Sequence, residues 1–120
     1  MANRTGPSNL VLAKLINDLK ILSLKEKSKL WQRVAYELER SNRKRREVNL
    51  YKINQYTKDG EIALVPGKVL SLGEIDKKIT VAAFRFSEAA REKINKSGKA
   101  ISIQQLAKEN PKGKNIRILG

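Results

Sequence analysis

The sequence predicts an α+β fold, an N-terminal helix pair followed by short strands and helices. Three observations predict it. Apolar residues at helical spacing dominate the first forty positions, short β-rich runs broken by glycine and proline follow, and the two textures are segregated rather than strictly alternating. At 120 residues the chain suits one domain and is too short for two ordinary ones with separate cores. Residues 1–120 are therefore read as a single domain, with a helix hairpin over 8–41 and a mixed strand and helix body over 47–120. Hydrophobic residues make up 40% of the chain but aromatics only 5%, so the core must rest on Leu, Ile, Val and Ala.

The first helix is predicted from Ser8, a natural cap, through Leu12, Leu15, Ile16, Leu19 and Leu22. A second is predicted from Ser23, whose spacing to Glu26 is that of a capping box, with Leu30, Trp31, Val34, Ala35 and Leu38 on one stripe. Ser41 and Asn42 stop it. "VNLYKIN" (48–54) reads as a strand with both faces partly buried. Beyond it the reading is a turn at Lys58-Asp59-Gly60, a strand over 62–65, a turn at Pro66-Gly67, a strand over 69–72 and a break at Gly73. "KITVAAFRFS" is the strongest strand, but its alternation slips between Ala83 and Phe84, which a bulge or burial on both faces would explain. Ser87 should cap a helix over 88–96 that Gly98 closes, and Lys99 to Ile101 a brief strand. Ser102 and Gln105 then cap a short helix stopped by Asn110-Pro111, and "NIRIL" can add a last strand.

Charge is the second message. Against 12 carboxylates stand 26 Lys and Arg, a formal +14, whereas solubility alone requires a net charge of only about 2–8 on a small domain. Such self-repulsion favours a polyanionic partner, nucleic acid first. Residues 1–47 carry 12 basic and 5 acidic groups, 48–86 carry 6 and 4, and 87–120 carry 8 and 3, so the excess lies towards both ends. "SNRKRREVNLYKIN" (41–54) gathers Arg43, Lys44, Arg45, Arg46 and Lys52. One or two such cations would serve a helix C-terminus. The rest, with Arg4, Lys112, Lys114 and Arg117, sit beside glycine, asparagine or a chain end, flexible settings from which separate phosphates can be reached.

Other chemistries find little support. Cysteine and histidine are absent, which removes thiolate chemistry, disulfides and the commonest metal ligand. The acidic pairs Asp59/Glu61 and Glu74/Asp76 stand in turns without a supporting constellation, so a small nuclease using carboxylates and a divalent ion is disfavoured. Gly67-Lys68 lacks the rest of a phosphate loop. Trp31, Phe84 and Phe86 read as core; for Tyr51 and Tyr56 base stacking and simple packing stay equally open. No zinc-finger spacing, leucine zipper or aromatic RNA-recognition run is present, so backbone and shape contacts are favoured over base-edge reading. The N-terminus lacks a signal-peptide hydrophobic region and no apolar run approaches a membrane span, so a soluble, intracellular protein is expected.

"VNLYKIN", "LVPGKVLSLGEIDKKITVAAFRFSEAAREKINKSG" and "ENPKGKNIRIL", in that order, closely resemble the large-subunit ribosomal protein family called eighteen-e of archaea and eukaryotes. The likeness spans nearly the whole chain, in the short archaeal form. The later part is also similar to the C-terminal half of ribosomal protein fifteen, a sister family. The long glycine-rich and basic arm that opens that family is replaced here by a helix pair. The resemblance implies irregular β-β-α turns in a short superhelix, and a structural protein of the cytoplasmic ribosome without catalysis, cofactor, metal or small-molecule substrate. Its partners would be large-subunit rRNA and neighbouring ribosomal proteins. It carries an RNA-facing role onto Arg43, Lys44, Arg45, Arg46, Asn49, Lys52, Lys68, Lys77, Lys78, Arg85, Lys112, Lys114 and Arg117. Arg85, between two phenylalanines, could instead join an intramolecular ion pair. The alternative is a free-standing RNA- or DNA-binding regulator, which would discriminate sequences through base contacts.

Overall fold

Five strands line up in parallel in the computed structural model, which describes residues 7–39 and 46–119, with side chains from 11–39 and 47–119. The N-terminal hairpin is α1 (Pro7–Glu26) and α2 (Lys29–Glu39). There follow β1 (Arg46–Asn49), α3 (Leu50–Tyr56), β2 (Ile62–Leu70), β3 (Thr80–Phe86), α4 (Glu88–Ser97), β4 (Lys99–Ser102), α5 (Ile103–Glu109) and β5 (Ile116–Ile118). The strand order is β1-β2-β3-β4, and β5 also pairs β2. One edge of β2 is thus shared, β5 beside residues 62–64 and β1 beside residues 67–70, while β3 takes the other edge. The class is mixed, as expected.

Parallel strands must be buried on both faces, and here each face has its own apolar layer. Val48, Ala63, Val65, Val69, Val81 and Ala83 join Leu50 and Ile53 of α3 and Ala90 and Ile94 of α4. On the opposite face Leu64, Ala82 and Ile101 meet Leu15 and Leu19 of α1, Trp31, Val34, Ala35 and Leu38 of α2, and Ile103 and Leu106 of α5. Of the apolar stripe expected on α2, Trp31, Val34, Ala35 and Leu38 are buried and Leu30 is partly so. Among the described residues no helix is long and apolar enough to cross a membrane.

Several local expectations are corrected. The hairpin turns at Lys27-Ser28, not at Ser23. Lys27 has φ 54°, and the Ser28 N–H donates to the Ser23 carbonyl at 3.0 Å, which closes α1 with a Schellman bond. The Ser23 hydroxyl instead donates to the Lys20 carbonyl within α1, at 2.8 Å. A left-handed lysine costs roughly 1–2 kcal/mol. Lys27→Gly is therefore expected to raise stability by about 1 kcal/mol, read as a higher urea midpoint at unchanged slope.

"VNLYKIN" is a strand only as far as Asn49. Leu50 and Ile53, three apart, then bury one side of α3 and leave Tyr51, Lys52, Gln55 and Tyr56 on the other. Pro66-Gly67 is not a turn between two strands but a bulge inside β2, where the pairing passes from Val65↔Ala83 to Lys68↔Arg85. Proline is tolerated there because the ladder is interrupted. The strand expected over 69–72 ends at Leu70. The slip read in β3 has both suggested causes: it lies opposite this bulge, and Val81, Ala82 and Ala83 are buried on both faces. Ala83 and Phe86, three apart, pack on one core, and Phe84 packs on the other.

Ser87 and Ser102 cap α4 and α5 as expected, accepting from the N–H groups of Ala90 and Gln105. Gly98 does close α4, but not through a left-handed cap, since its φ is −143°. A Cβ there would stand 2.0 Å from the Ile79 carbonyl oxygen, so the glycine lets two backbones touch.

Candidate nucleic-acid interface

The carboxyl ends of β1, β2 and β3 form one rim of the sheet, and the bulge sets its charges. Beyond Pro66-Gly67, Lys68 pairs in register with Glu47 on β1 and Arg85 on β3. Lys68 and Arg85 are exposed register neighbours on adjacent central strands. Arg85 lies with its guanidinium carbon 5.4 Å from the centre of the Phe84 ring. Arg91, on the first turns of α4, lies 5.4 Å from the centre of the Phe86 ring. The negative ring face attracts and orients each cation. Arg85 thus sits over an aromatic ring, the intramolecular role being cation–π rather than the ion pair foreseen as an alternative.

A second cationic element is the loop between α5 and β5. The Asn110 side chain donates from Nδ2 to the Lys114 carbonyl at 2.8 Å and accepts the Lys114 N–H at 3.2 Å. The Gly113 N–H donates to the Asn110 carbonyl at 3.0 Å, and the Trp31 indole Nε1 donates to the Pro111 carbonyl at 2.7 Å. Gly113 has φ 71°, and a Cβ on it would collide with Leu30 Cδ2 at 2.5 Å. The setting expected to be flexible is therefore pinned at four points, and Lys112 and Lys114 stand exposed on a fixed loop.

Other candidates are turned to internal work. The Lys77 ammonium donates to the carbonyls of Asn54 and Thr57 at 2.7 and 3.0 Å, where the C-terminal end of α3 favours positive charge. Asn49 accepts the Leu72 N–H at 3.2 Å and holds the chain leaving β2. Arg117 grips Glu61 with Nε and Nη2, both at 3.2 Å. Lys52 and Lys78 are exposed. Arg46 is described only as the backbone partner of Gly67, and Arg4, Arg43, Lys44 and Arg45 lie outside the described residues.

Two of the carboxylates that a nuclease would have needed, those of Asp59 and Glu74, are taken up in structural contacts, and Asp76 is held through its backbone. Asp59 accepts the Lys78 N–H, Glu74 pairs with Lys93 at 2.9 Å, and the Asp76 N–H donates to Asn54. The Glu61 carboxyl is held below its ordinary value, first by hydrogen bonds from Arg117, then by the N–H of Lys58, and Arg117 is raised in return. A depressed carboxylate stabilises the fold above its unfolded pKa and loses that contribution as pH falls through its folded one. NMR titration should find Glu61 below the unperturbed carboxylate range, with Arg117→Ala raising it only part of the way back, because the Lys58 N–H still holds the carboxylate.

Tyr51 and Tyr56, left open between stacking and packing, face solvent at 53% and 52% exposure, with Lys52 and Gln55 between them on the outer side of α3. Arg91 was not anticipated, because nothing in an amphipathic helix marks which cation will lie back over the last residue of the preceding strand. Among the described residues no carboxylate lies within ion-pair distance of Lys68, Arg85, Arg91, Lys112 or Lys114; the pairs that form are Lys14–Asp18, Lys20–Glu39, Arg33–Glu37, Lys93–Glu74 and Arg117–Glu61.

A family described as "Ribosomal protein 60S L18 and 50S L18e" matches residues 2–120. A protein of Sulfurisphaera tokodaii named large ribosomal subunit protein eL18 is 46% identical over 120 residues, covering 99% of this chain and 98% of the relative. The protein of that name from Methanospirillum hungatei is also 46% identical over 120 residues, covering 99% of both chains. That from Thermoplasma acidophilum is 46% identical over 109 residues, covering 90% of this chain and 91% of its own. With its whole length matched in this way, the chain belongs to the ribosomal protein family of 60S L18 and 50S L18e.

Proposed function

We propose that this chain is a structural constituent of the large ribosomal subunit that binds rRNA mainly through phosphate and shape contacts. It acts as one RNA-binding domain over residues 1–120, in the cytoplasmic ribosome and beside neighbouring ribosomal proteins, without catalysis or cofactor. Family membership supports the assembly. The observation that carries the mode of binding is the set of exposed, carboxylate-free cations Lys68, Arg85, Arg91, Lys112 and Lys114 on a chain of formal charge +14. Cations already fixed by aromatic rings or by a pinned loop lose little entropy on meeting phosphates, and each neutralised phosphate releases a counterion.

In this reading Lys52 and Lys78 add contacts, as do Arg4 and Arg43 to Arg46. Asn49, Lys77 and Arg117 serve indirectly, by stiffening the frame. A tagged copy expressed in an archaeal host should sediment with the large subunit and remain there through a moderate salt wash. Recovery wholly in the soluble fraction, or selective binding to one short DNA or RNA sequence, would overturn the reading in favour of a free regulator.

A further inference from the structure

A cleft of about 250 Å³ opens where β3 and β4 end, lined by Phe84, Phe86, Arg91, Ala100, Ser102 and Gln105. Its position follows from topology. The two strands are adjacent and parallel, paired up to Ala83↔Ser102. Beyond that pair the chain leaves β3 into α4, which packs on the core with Ala90 and Ile94, and leaves β4 into α5, which packs on the opposite core with Ile103 and Leu106. Adjacent strands whose following helices diverge to opposite faces define a switch point, the place where open parallel sheets take ligands.

The lining states the chemistry. One side is planar and π-rich: Phe86 already carries the Arg91 guanidinium, so a ring-on-guanidinium stack is half built. The other side is polar. The Ser102 oxygen accepts the Gln105 N–H at 3.0 Å and has its own hydroxyl proton to donate. Gln105 donates from Nε2 to Glu109 at 2.8 Å, which leaves its carbonyl oxygen to accept. A flat solute with donors and acceptors on one edge matches both sides, and RNA offers such groups where a base has left the helix.

We infer that this cleft receives one unstacked nucleobase of the bound RNA, stacked on Arg91 and Phe86 and hydrogen-bonded at its edge by Ser102 and Gln105. Arg85 and Lys68, next along the rim, take the flanking phosphates. The inference rests on the RNA-binding reading above and adds that the partner RNA presents a bulged or looped nucleotide at this point.

The test compares five fluorescent RNA hairpins of one stem sequence, one fully paired and four carrying a single bulged A, C, G or U, by anisotropy with the full chain. At least one bulged hairpin should bind about tenfold more tightly than the paired one, the size expected for stacking a single base. Ala100→Leu, which fills the cleft, should bring the ratio to near unity, and Gln105→Ala, which removes one edge hydrogen bond and leaves the stack, should lower it about threefold, while affinity for the paired hairpin stays within about twofold, with circular dichroism confirming that both variants fold. Equal binding of all five hairpins by the unaltered chain, or a preference that survives both substitutions, would overturn the inference while leaving salt-dependent RNA binding intact. Absence of binding to every hairpin would overturn the RNA reading itself.

Discussion

Trp31→Ala is expected to lower the free energy of unfolding by about 3–5 kcal/mol, a large part of the roughly 5–15 kcal/mol that holds a small domain folded. Trp31 is 0% exposed and packs in the layer formed by α1, α2 and α5 against the sheet. No other residue of the chain offers that volume, since Trp31 is the single tryptophan. Truncation leaves a cavity that a layer of branched aliphatics cannot close. The indole also does polar work: its Nε1 donates at 2.7 Å to the carbonyl of Pro111, 80 residues away. Trp31→Phe separates the two contributions, because it keeps most of the volume and leaves that carbonyl without its donor, at about 1–3 kcal/mol.

The same change should reach the loop between α5 and β5. Lys112 and Lys114 lie within three residues of Pro111, so loss of the indole bond removes one of the four ties on the segment that carries them. Urea unfolding and amide exchange at Gly113 and Lys114 check this together. A midpoint for Trp31→Phe equal to that of the unaltered chain, with exchange unchanged, would show that the indole N–H neither stabilises the core nor holds the loop.

How much of this was legible in the sequence depended on how local the cause was. Ser87 and Ser102 were readable as caps because a cap needs only the next three residues. The stripe from Trp31 to Leu38 was readable because one period covers it. What failed was set by distant partners. Leu50 and Ile53 fit a strand or a helix equally, and the choice was made by Leu72, whose N–H is taken by Asn49 and whose carbonyl takes the Tyr51 N–H. Pro66-Gly67 has turn chemistry, yet pairing with β1, β3 and β5 on both edges of β2 carries the strand on through it as a bulge. The candidate site shows the same division. Net charge announced a polyanion, but only tertiary contacts decide that Lys77 turns inward to α3, that Arg117 is spent on Glu61, and that Arg91 stands over Phe86.

Replacing Lys68, Arg85, Lys112 and Lys114 together with alanine should cost the largest share of RNA affinity that the described residues can lose. With counterion release at about 0.7–0.9 per phosphate, four lost contacts flatten the log-log salt slope by about 3 and weaken binding to purified large-subunit rRNA by about 10³-fold at 0.1 M salt. The fold should hardly notice. All four side chains are exposed, none has a carboxylate partner, and surface changes of this kind stay within about 0.5 kcal/mol each, with Arg85 at the upper end because it covers Phe84. Leu38→Ala is the mirror experiment: Leu38 is fully buried in the α2 stripe, so about 2–5 kcal/mol of stability should go while the salt slope of the folded fraction stays the same. The two variants therefore separate binding from folding in opposite directions. Equal melting shifts for both would mean that these cations hold the protein together, and an unchanged salt slope after the fourfold replacement would mean that they do not hold the RNA.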